Sequence, residues 1–363
     1  MHIVFRTDAS VQIGTGHVMR CLTLADALRA AGVHCTFVSR AHKGHLLDLI
    51  RKRGYQCVAL ADKQLTLPCQ HDRLPNHATW LGTDWSIDAA DTRQAIGAPS
   101  VDWLIVDHYA IDARWEKTMR PYCKRLMIID DLADREHDCD LLLDQNLGRT
   151  THDYKSRTPP AANVLTGPQY ALLRPEFSAL RETSMETRTH PKLQHLLISL
   201  GGVDKNNMTE HVLNALCHCD LPAEFCIVVV MGANAPWLAK VQARAKIMPC
   251  KTEVLINAEN MAQLMVRSDL AITAIGGTIW ELCTLGLPTI SIPIADNQEE
   301  NGSALSAKNA TIRIDAAAIQ ENLIAAFAWV KVESNLLEIQ TNASKICDGL
   351  GTKRVASILM GWA

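Results

Sequence analysis

Long apolar runs are missing from this 363-residue chain: the longest, Leu323 to Val330, is eight residues, whereas a membrane-spanning helix needs about 20. Met1 leads directly into HIVF, with no basic segment, apolar stretch or cleavage site, so the sequence predicts no export signal, no membrane partner and a cytoplasmic location. Charge of one sign is not in excess, with a formal net charge of -3, and aromatics make up only 5% of residues. Neither the basic field nor the stacking platforms of a nucleic-acid binder are therefore present. Cysteines number 12, but no C-x-x-C occurs and only Cys217 and Cys219 lie close together. That spacing speaks against structural zinc and against a disulfide framework, leaving reduced, mostly buried thiols as small apolar fillers. Short-period repeats and low-complexity tracts are also missing, which disfavours a solenoid or a long disordered tail.

What is present is a rhythm. Short β-branched runs alternate with longer segments of helical period, the pattern of parallel strands joined by crossover helices in an α/β protein. Strands are expected at residues 3–5, 35–39, 103–109, 125–130 and 141–145, and a second series at HLLISLGG (195–202), CIVVVMG, EVLIN, LAITA and PTISIPI. Val18, Leu22, Ala25 and Leu28 fall on one face of a helix. The length suits two doubly wound, Rossmann-like domains, an N-terminal one over 1–167 and a C-terminal one over 168–363. Thr158 to Pro160 and the polar stretch Glu182 to Lys192 read as connections. Ligands of open α/β sheets bind beyond the carboxyl ends of the strands, so two such domains are expected to face a cleft.

The chemistry-bearing residues sit at those strand ends. RTDASVQIGTGHVMR follows the first strand and places Gly14 and Gly16 in a turn and His17 at the start of a helix. Glycines admit close backbone approach, and free amides at a helix start attract anionic oxygens. The third glycine of G-x-G-x-x-G is missing, so a dinucleotide fingerprint is not met. A histidine in this place suits a neutral general base, although it can equally be a simple helix cap. Gly201 and Gly202, and again Gly276 and Gly277, form further glycine turns after strands. Glu281, one helical turn beyond Gly277, can reach vicinal ribose hydroxyls or merely favour its helix start. Asp107, His108 and Tyr109 end a buried strand, as cleft-lining residues or as a structural polar cluster. The Asp138-Cys139-Asp140 triplet superficially matches a metal-binding D-x-D and is discounted, because it lies in an acidic, turn-rich stretch.

Together these segments resemble the PseG family, UDP-sugar hydrolases of pseudaminic acid biosynthesis, and more distantly MurG-type glycosyltransferases. The resemblance is carried by FRTDASVQIGTGHVMR (5–20), LIVDHYAID (104–112), YALLRPEF (170–177), SLGGVDKNN (199–207), NAENMAQLM (257–265) and AIGGTIWELCTLGLP (274–288). It implies a GT-B fold, with GTKRVASILMGW (351–362) as a C-terminal helix returning to the first domain. It also implies inverting hydrolysis of UDP-2,4-diacetamido-2,4,6-trideoxy-beta-L-altropyranose. By motif, His17 would be the base, Tyr109 would contact the sugar or order the water, and Asn297 would lie beside sugar and phosphates. Gly276, Gly277 and Thr278 would take the pyrophosphate, Glu281 the ribose, and Ile256 and Met261 the uracil side. Arg6, Asp8 and Gln298, within the same motifs, are expected to bind substrate too. No metal and no organic cofactor is implied, and with no interface signature a monomer is expected. The rival readings are a glycosyltransferase using a UDP-sugar donor, a UDP-sugar 2-epimerase and a non-catalytic UDP-sugar sensor.

Overall fold

A computed structural model of the chain describes residues 1–63, 74–97, 100–222 and 224–362. The chain divides into two compact units, one of Met1–Leu172 with Gly351–Ala363, the other of Leu173–Leu350. The division falls between Leu172 and Leu173, and the last helix, Gly351–Gly361, belongs to the first unit.

The first unit is built on a parallel sheet of β1 (His2–Thr7), β2 (His34–Arg40), β3 (Gln56–Leu60), β4 (Val101–Asp107), β5 (Cys123–Ile129), β6 (Leu141–Asp144) and β7 (Asn163–Thr166). Their order is β3-β2-β1-β4-β5-β6-β7. On one face the first helix, Gly16–Ala30, buries Val18, Leu22, Ala25 and Leu28 completely, in a core shared with Phe5, Phe37 and Trp103. Val355, Ala356 and Leu359 of the C-terminal helix join that core, and Trp362 rests against Trp103 with ring centroids 5.6 Å apart. Entry into this helix requires glycine, because a Cβ on Gly351 would collide with the Ala171 carbonyl.

The second unit carries β8 (His195–Ser199), β9 (Cys226–Met231), β10 (Lys251–Ile256), β11 (Leu270–Ala274), β12 (Thr289–Ile292) and β13 (Ile312–Arg313), in the order β10-β9-β8-β11-β12-β13 and again parallel. Its core joins Leu196, Ile198, Val229, Ile272 and Ile290 to Leu323 and Phe327 of the helix Ile319–Val330.

Three strands escaped the periodicity, and each is short or marginal: β3 is half-exposed, β7 spans Asn163–Thr166 after a Pro-Pro pair, and β13 has two residues. The polar stretch expected as a connection is helical as far as Thr187, within Pro175–Thr187. Its polar residues serve backbone carbonyls inside the unit. Arg181 donates to the carbonyls of Thr284, Cys347 and Ser344, Ser184 to that of Leu285, and Arg188 to those of Met265 and Ser268.

In each sheet the winding direction reverses between two adjacent strands, β1 with β4 and β8 with β11, and ligands of open α/β sheets bind at such points. Register brings the relevant ends together: Thr7 lies opposite Asp107, and Ser199 opposite Thr273.

Candidate active site

In the first unit the chain leaves β1 through a tight loop. Ser10 and Gly14 bridge, the Ser10 hydroxyl accepts from the amides of Gln12 and Ile13, and Gly14 takes φ +83°, a conformation that glycine adopts without strain. The helix starts at Gly16, so His17 sits in its first turn beside the end of β4. Its Nδ1 lies 2.5 Å from Asp107 Oδ1, and both side chains are buried. The pairing sets the tautomer: Nδ1–H donates to the carboxylate, and Nε2 is left as the acceptor.

Asp107 is held ionised. Burial pushes its pKa up, but the Arg20 guanidinium and His17 outweigh that and keep the carboxyl well below the usual range. Arg20 stands three residues after His17, on the same helix face. It donates to Asp107 through Nε at 2.6 Å and Nη2 at 2.7 Å, and to Asp131 Oδ2 through Nη1 at 2.6 Å. Asp131 Oδ2 also accepts the Tyr109 hydroxyl at 2.7 Å, and the Tyr109 ring meets His17 edge-on with centroids 4.5 Å apart. His17, Asp107, Arg20, Asp131 and Tyr109 therefore form a closed circuit. His77 and Trp80 flank the Tyr109 ring, Trp80 stacking on it at 5.8 Å.

Arg6 and Asp8, expected to bind substrate directly, do not present charge to a ligand. Both side chains are fully buried. Arg6 Nη1 donates to Asp8 at 2.6 Å, while its Nε and Nη2 clasp Asp88, which also takes Arg40 and the Trp115 indole. Buried charges need partners this close to offset desolvation, and the pair sits at the end of β1 where the loop to His17 begins. The discounted D-x-D carboxylates are likewise occupied: Arg120 reaches Asp138 at 3.0 Å and Asp140 at 2.5 Å. Among the described residues no cluster of three His, Cys, Asp or Glu side chains is arranged to hold a metal, and none of the described cysteines is in a disulfide. Cys69 lies outside the described residues.

In the second unit Gly201 and Gly202 follow β8, and Gly276 and Gly277 follow the adjacent β11. A Cβ added at Gly201, Gly276 or Gly277 would meet nothing within 4 Å. Thr278 opens the helix Thr278–Thr284, and Glu281 lies one turn on, 17% exposed and 3.8 Å from Arg174. Burial pushes the Glu281 carboxyl up to about 7, against the pull of Arg174. Gln298 braces the neighbouring turns, its Oε1 accepting from the amides of Ile294 at 3.0 Å and Ile275 at 3.3 Å. Asn297 is exposed in the helical turn Asp296–Gln298. Ile256 ends β10 with 45% of its surface exposed, and Met261 begins the helix Met261–Arg267.

Of the residues expected from the sequence, His17, Gly14, Gly16 and Tyr109 gather in the first unit, and the Gly201–Gly202 and Gly276–Gly277 turns sit on neighbouring strands of the second. Three further residues of the first site had no role assigned: Asp107 as the partner of His17, Arg20 and Asp131. Arg20 was legible, being one helical turn beyond His17. The two aspartates were not, because 90 residues separate His17 from Asp107 and 111 separate Arg20 from Asp131.

Comparison with known proteins places this geometry in context. Residues 198–355 match the glycosyltransferase family 28 C-terminal domain. An uncharacterized protein of Methanocaldococcus jannaschii is 27% identical over 308 residues, covering 83% of this chain but only 57% of that protein's length. The UDP-2,4-diacetamido-2,4,6-trideoxy-beta-L-altropyranose hydrolase of Campylobacter jejuni is 26% identical over 308 residues, covering 85% of this chain and 97% of that one. Among solved structures, MurG of Acinetobacter baumannii superposes with a TM-score of 0.68 at 17% identity, over 99% of both chains. The fold is therefore GT-B, and the homology to the hydrolase is distant. Among the described residues no helix is long and apolar enough to cross a membrane.

Proposed function

We propose that this chain is a UDP-sugar-processing enzyme and, more specifically, a hydrolase of UDP-2,4-diacetamido-2,4,6-trideoxy-beta-L-altropyranose in pseudaminic acid biosynthesis. The observation that carries the reading is the His17–Asp107 contact, which leaves one imidazole nitrogen free as a base at the switch point of the first sheet. The distant similarity to a protein bearing that activity supports the choice of substrate.

In this mechanism His17 Nε2 removes a proton from water, whose oxygen forms a bond to C1 of the sugar. The C1–O bond to the β-phosphate breaks, UDP leaves with the electron pair, and configuration inverts. The proton resides on His17, as an imidazolium stabilised by ionised Asp107. A positioned base contributes about 10²–10⁴-fold, and UDP is already a good leaving group, so a single base suffices. Nucleotide recognition falls to the second unit. Amides of the Gly276–Thr278 turn would meet the pyrophosphate, Glu281 the ribose, Ile256 and Met261 the uracil side, and Gly201, Gly202 and Gln298 would shape the adjoining turns. Asn297 would contact sugar and phosphate. We expect a monomer that needs no metal or cofactor.

The test is to incubate purified protein with the nucleotide sugar and no acceptor, following UDP and sugar by proton NMR. Release of both with inversion by wild type, lost in His17→Ala while UDP still binds, is the expected result. A wild type that binds UDP yet leaves the nucleotide sugar intact would sink the reading. The match of residues 198–355 to a glycosyltransferase domain favours one second reading, transfer of the sugar to an alcohol. Turnover only when an acceptor is supplied would establish it.

A further inference from the structure

The hydrogen-bond circuit determines what Tyr109 is able to do. A phenol has one proton to give, and Tyr109 gives it to Asp131 Oδ2 at 2.7 Å. That same oxygen receives Arg20 Nη1 at 2.6 Å, so it has no proton of its own to return. The ring cannot turn the hydroxyl elsewhere: it is 6% exposed, met edge-on by His17 and stacked by Trp80. Burial and the neighbouring carboxylate also hold the phenol far from ionisation. Toward a ligand, Tyr109 therefore offers lone pairs only.

We infer that Asp131 is a positioning residue that makes Tyr109 an obligate hydrogen-bond acceptor for the nucleophilic water. The inference rests on the hydrolase reading and deepens it. His17 Nε2 and Tyr109 Oη are then two acceptors for the two protons of one water molecule. With both protons engaged, the lone pair of that water points away from both residues and toward the carbon under attack. This assigns Tyr109 neither acid nor nucleophile chemistry, and it gives Arg20 a second task. By bonding Asp107 and Asp131 together, Arg20 keeps the base and the acceptor in one frame.

The test compares wild type, Asp131→Asn, Asp131→Glu, Tyr109→Phe and the Asp131→Asn/Tyr109→Phe double variant. Each is assayed for acceptor-free hydrolysis across pH 5 to 10, with UDP affinity measured in parallel. The carboxamide of Asp131→Asn can turn its NH2 toward the phenol and reverse the bond. We expect kcat to fall about 10- to 100-fold with KM and UDP affinity nearly unchanged, the same loss in Tyr109→Phe, and no further loss in the double variant. Asp131→Glu should recover part of the rate, and the shape of the pH profile should stay as in wild type. Losses that multiply in the double variant, or a Tyr109→Phe enzyme as fast as wild type, overturn the inference while leaving the hydrolase standing. Should Asp131→Asn fail to fold, Tyr109→Phe decides alone. A wild type without hydrolysis overturns the hydrolase reading and this role with it.

Discussion

The two sheets present opposite kinds of surface at their switch points. In the first unit the strand ends carry aspartates: Asp8 after β1, Asp107 at the end of β4, Asp130 and Asp131 after β5, and Asp144 at the end of β6. Each is tied down, Asp107 and Asp131 by Arg20, Asp130 by Arg135 and Asp144 by the Tyr154 hydroxyl. In the second unit the ends of β8 and β11 lead instead into glycine turns, and a Cβ at Gly201, Gly276 or Gly277 would meet nothing within 4 Å. The first sheet thus gathers side chains locked by partners, and the second places open backbone at two neighbouring strand ends. The same fold carries a rigid side-chain circuit on one sheet and open glycine turns on the other, because strand ends specify position and leave the residue type free.

The contrast can be broken at several points. The largest effect should come from Asp107→Asn, which keeps the shape of the side chain but lets His17 take the wrong tautomer. The expected loss in kcat is on the order of 10²–10⁴-fold with UDP binding intact, measured against His17→Ala as the floor. A variant of wild-type activity would show that the contact only supports structure.

Next in size is Gly276→Ala with Gly277→Ala. The added methyl groups meet nothing within the protein, and Gly277 has φ -56°, so folding should be unchanged or gain about 0.4–1 kcal/mol. UDP affinity should nevertheless drop about tenfold or more, roughly 1.4 kcal/mol, by calorimetry. An unaltered dissociation constant would remove this turn from the nucleotide site.

A smaller effect follows from Glu281. Burial raises its carboxyl to about 7, and the ionised form is the one that accepts hydrogen bonds from a ribose diol. UDP affinity should therefore increase several-fold as pH rises from 6 to 8, and Glu281→Gln should flatten that dependence. A flat wild-type profile would sever Glu281 from the ligand.

The smallest effect concerns stability in the charged unit. Burial lowers the His137 pKa, but Glu116 and Asp130 outweigh it and hold the imidazole up at about 9. The folded value lies above the unfolded one, so this stabilisation is fully present below about pH 6.5 and is lost as pH rises through about 9. Thermal melts of wild type should soften by a few degrees across that window, while His137→Gln should be less stable at pH 7 and show a shallower slope.

Much of this architecture was legible before any coordinates, because local physics sufficed. β-branched runs between helical periods marked the central strands, and the glycine turns marked where ligands could approach. A single face of Val18, Leu22, Ala25 and Leu28 marked the first helix. Edge strands β3, β7 and β13 were not legible, since each is short and partly exposed and its stability comes from a neighbour's hydrogen bonds. The helix through Glu182 to Thr187 was read as a connection for a related reason: Ser184 within that stretch and Arg181 and Arg188 beside it donate to backbone carbonyls of distant segments, which composition cannot register.

The sequence by itself determined the repeated α/β pattern, the strand-end turns and the residue types available for chemistry, because each depends on neighbours a few positions away. Only the tertiary structure decided which charges act. Arg6 and Asp8 stand in the same motif as His17, yet folding buries them against Asp88, while Asp107 and Asp131 are brought to His17 and Arg20. The reason is electrostatic. A buried charge is tolerated only where a partner of opposite sign lies within hydrogen-bond reach, and those partners are supplied by segments far apart in the chain.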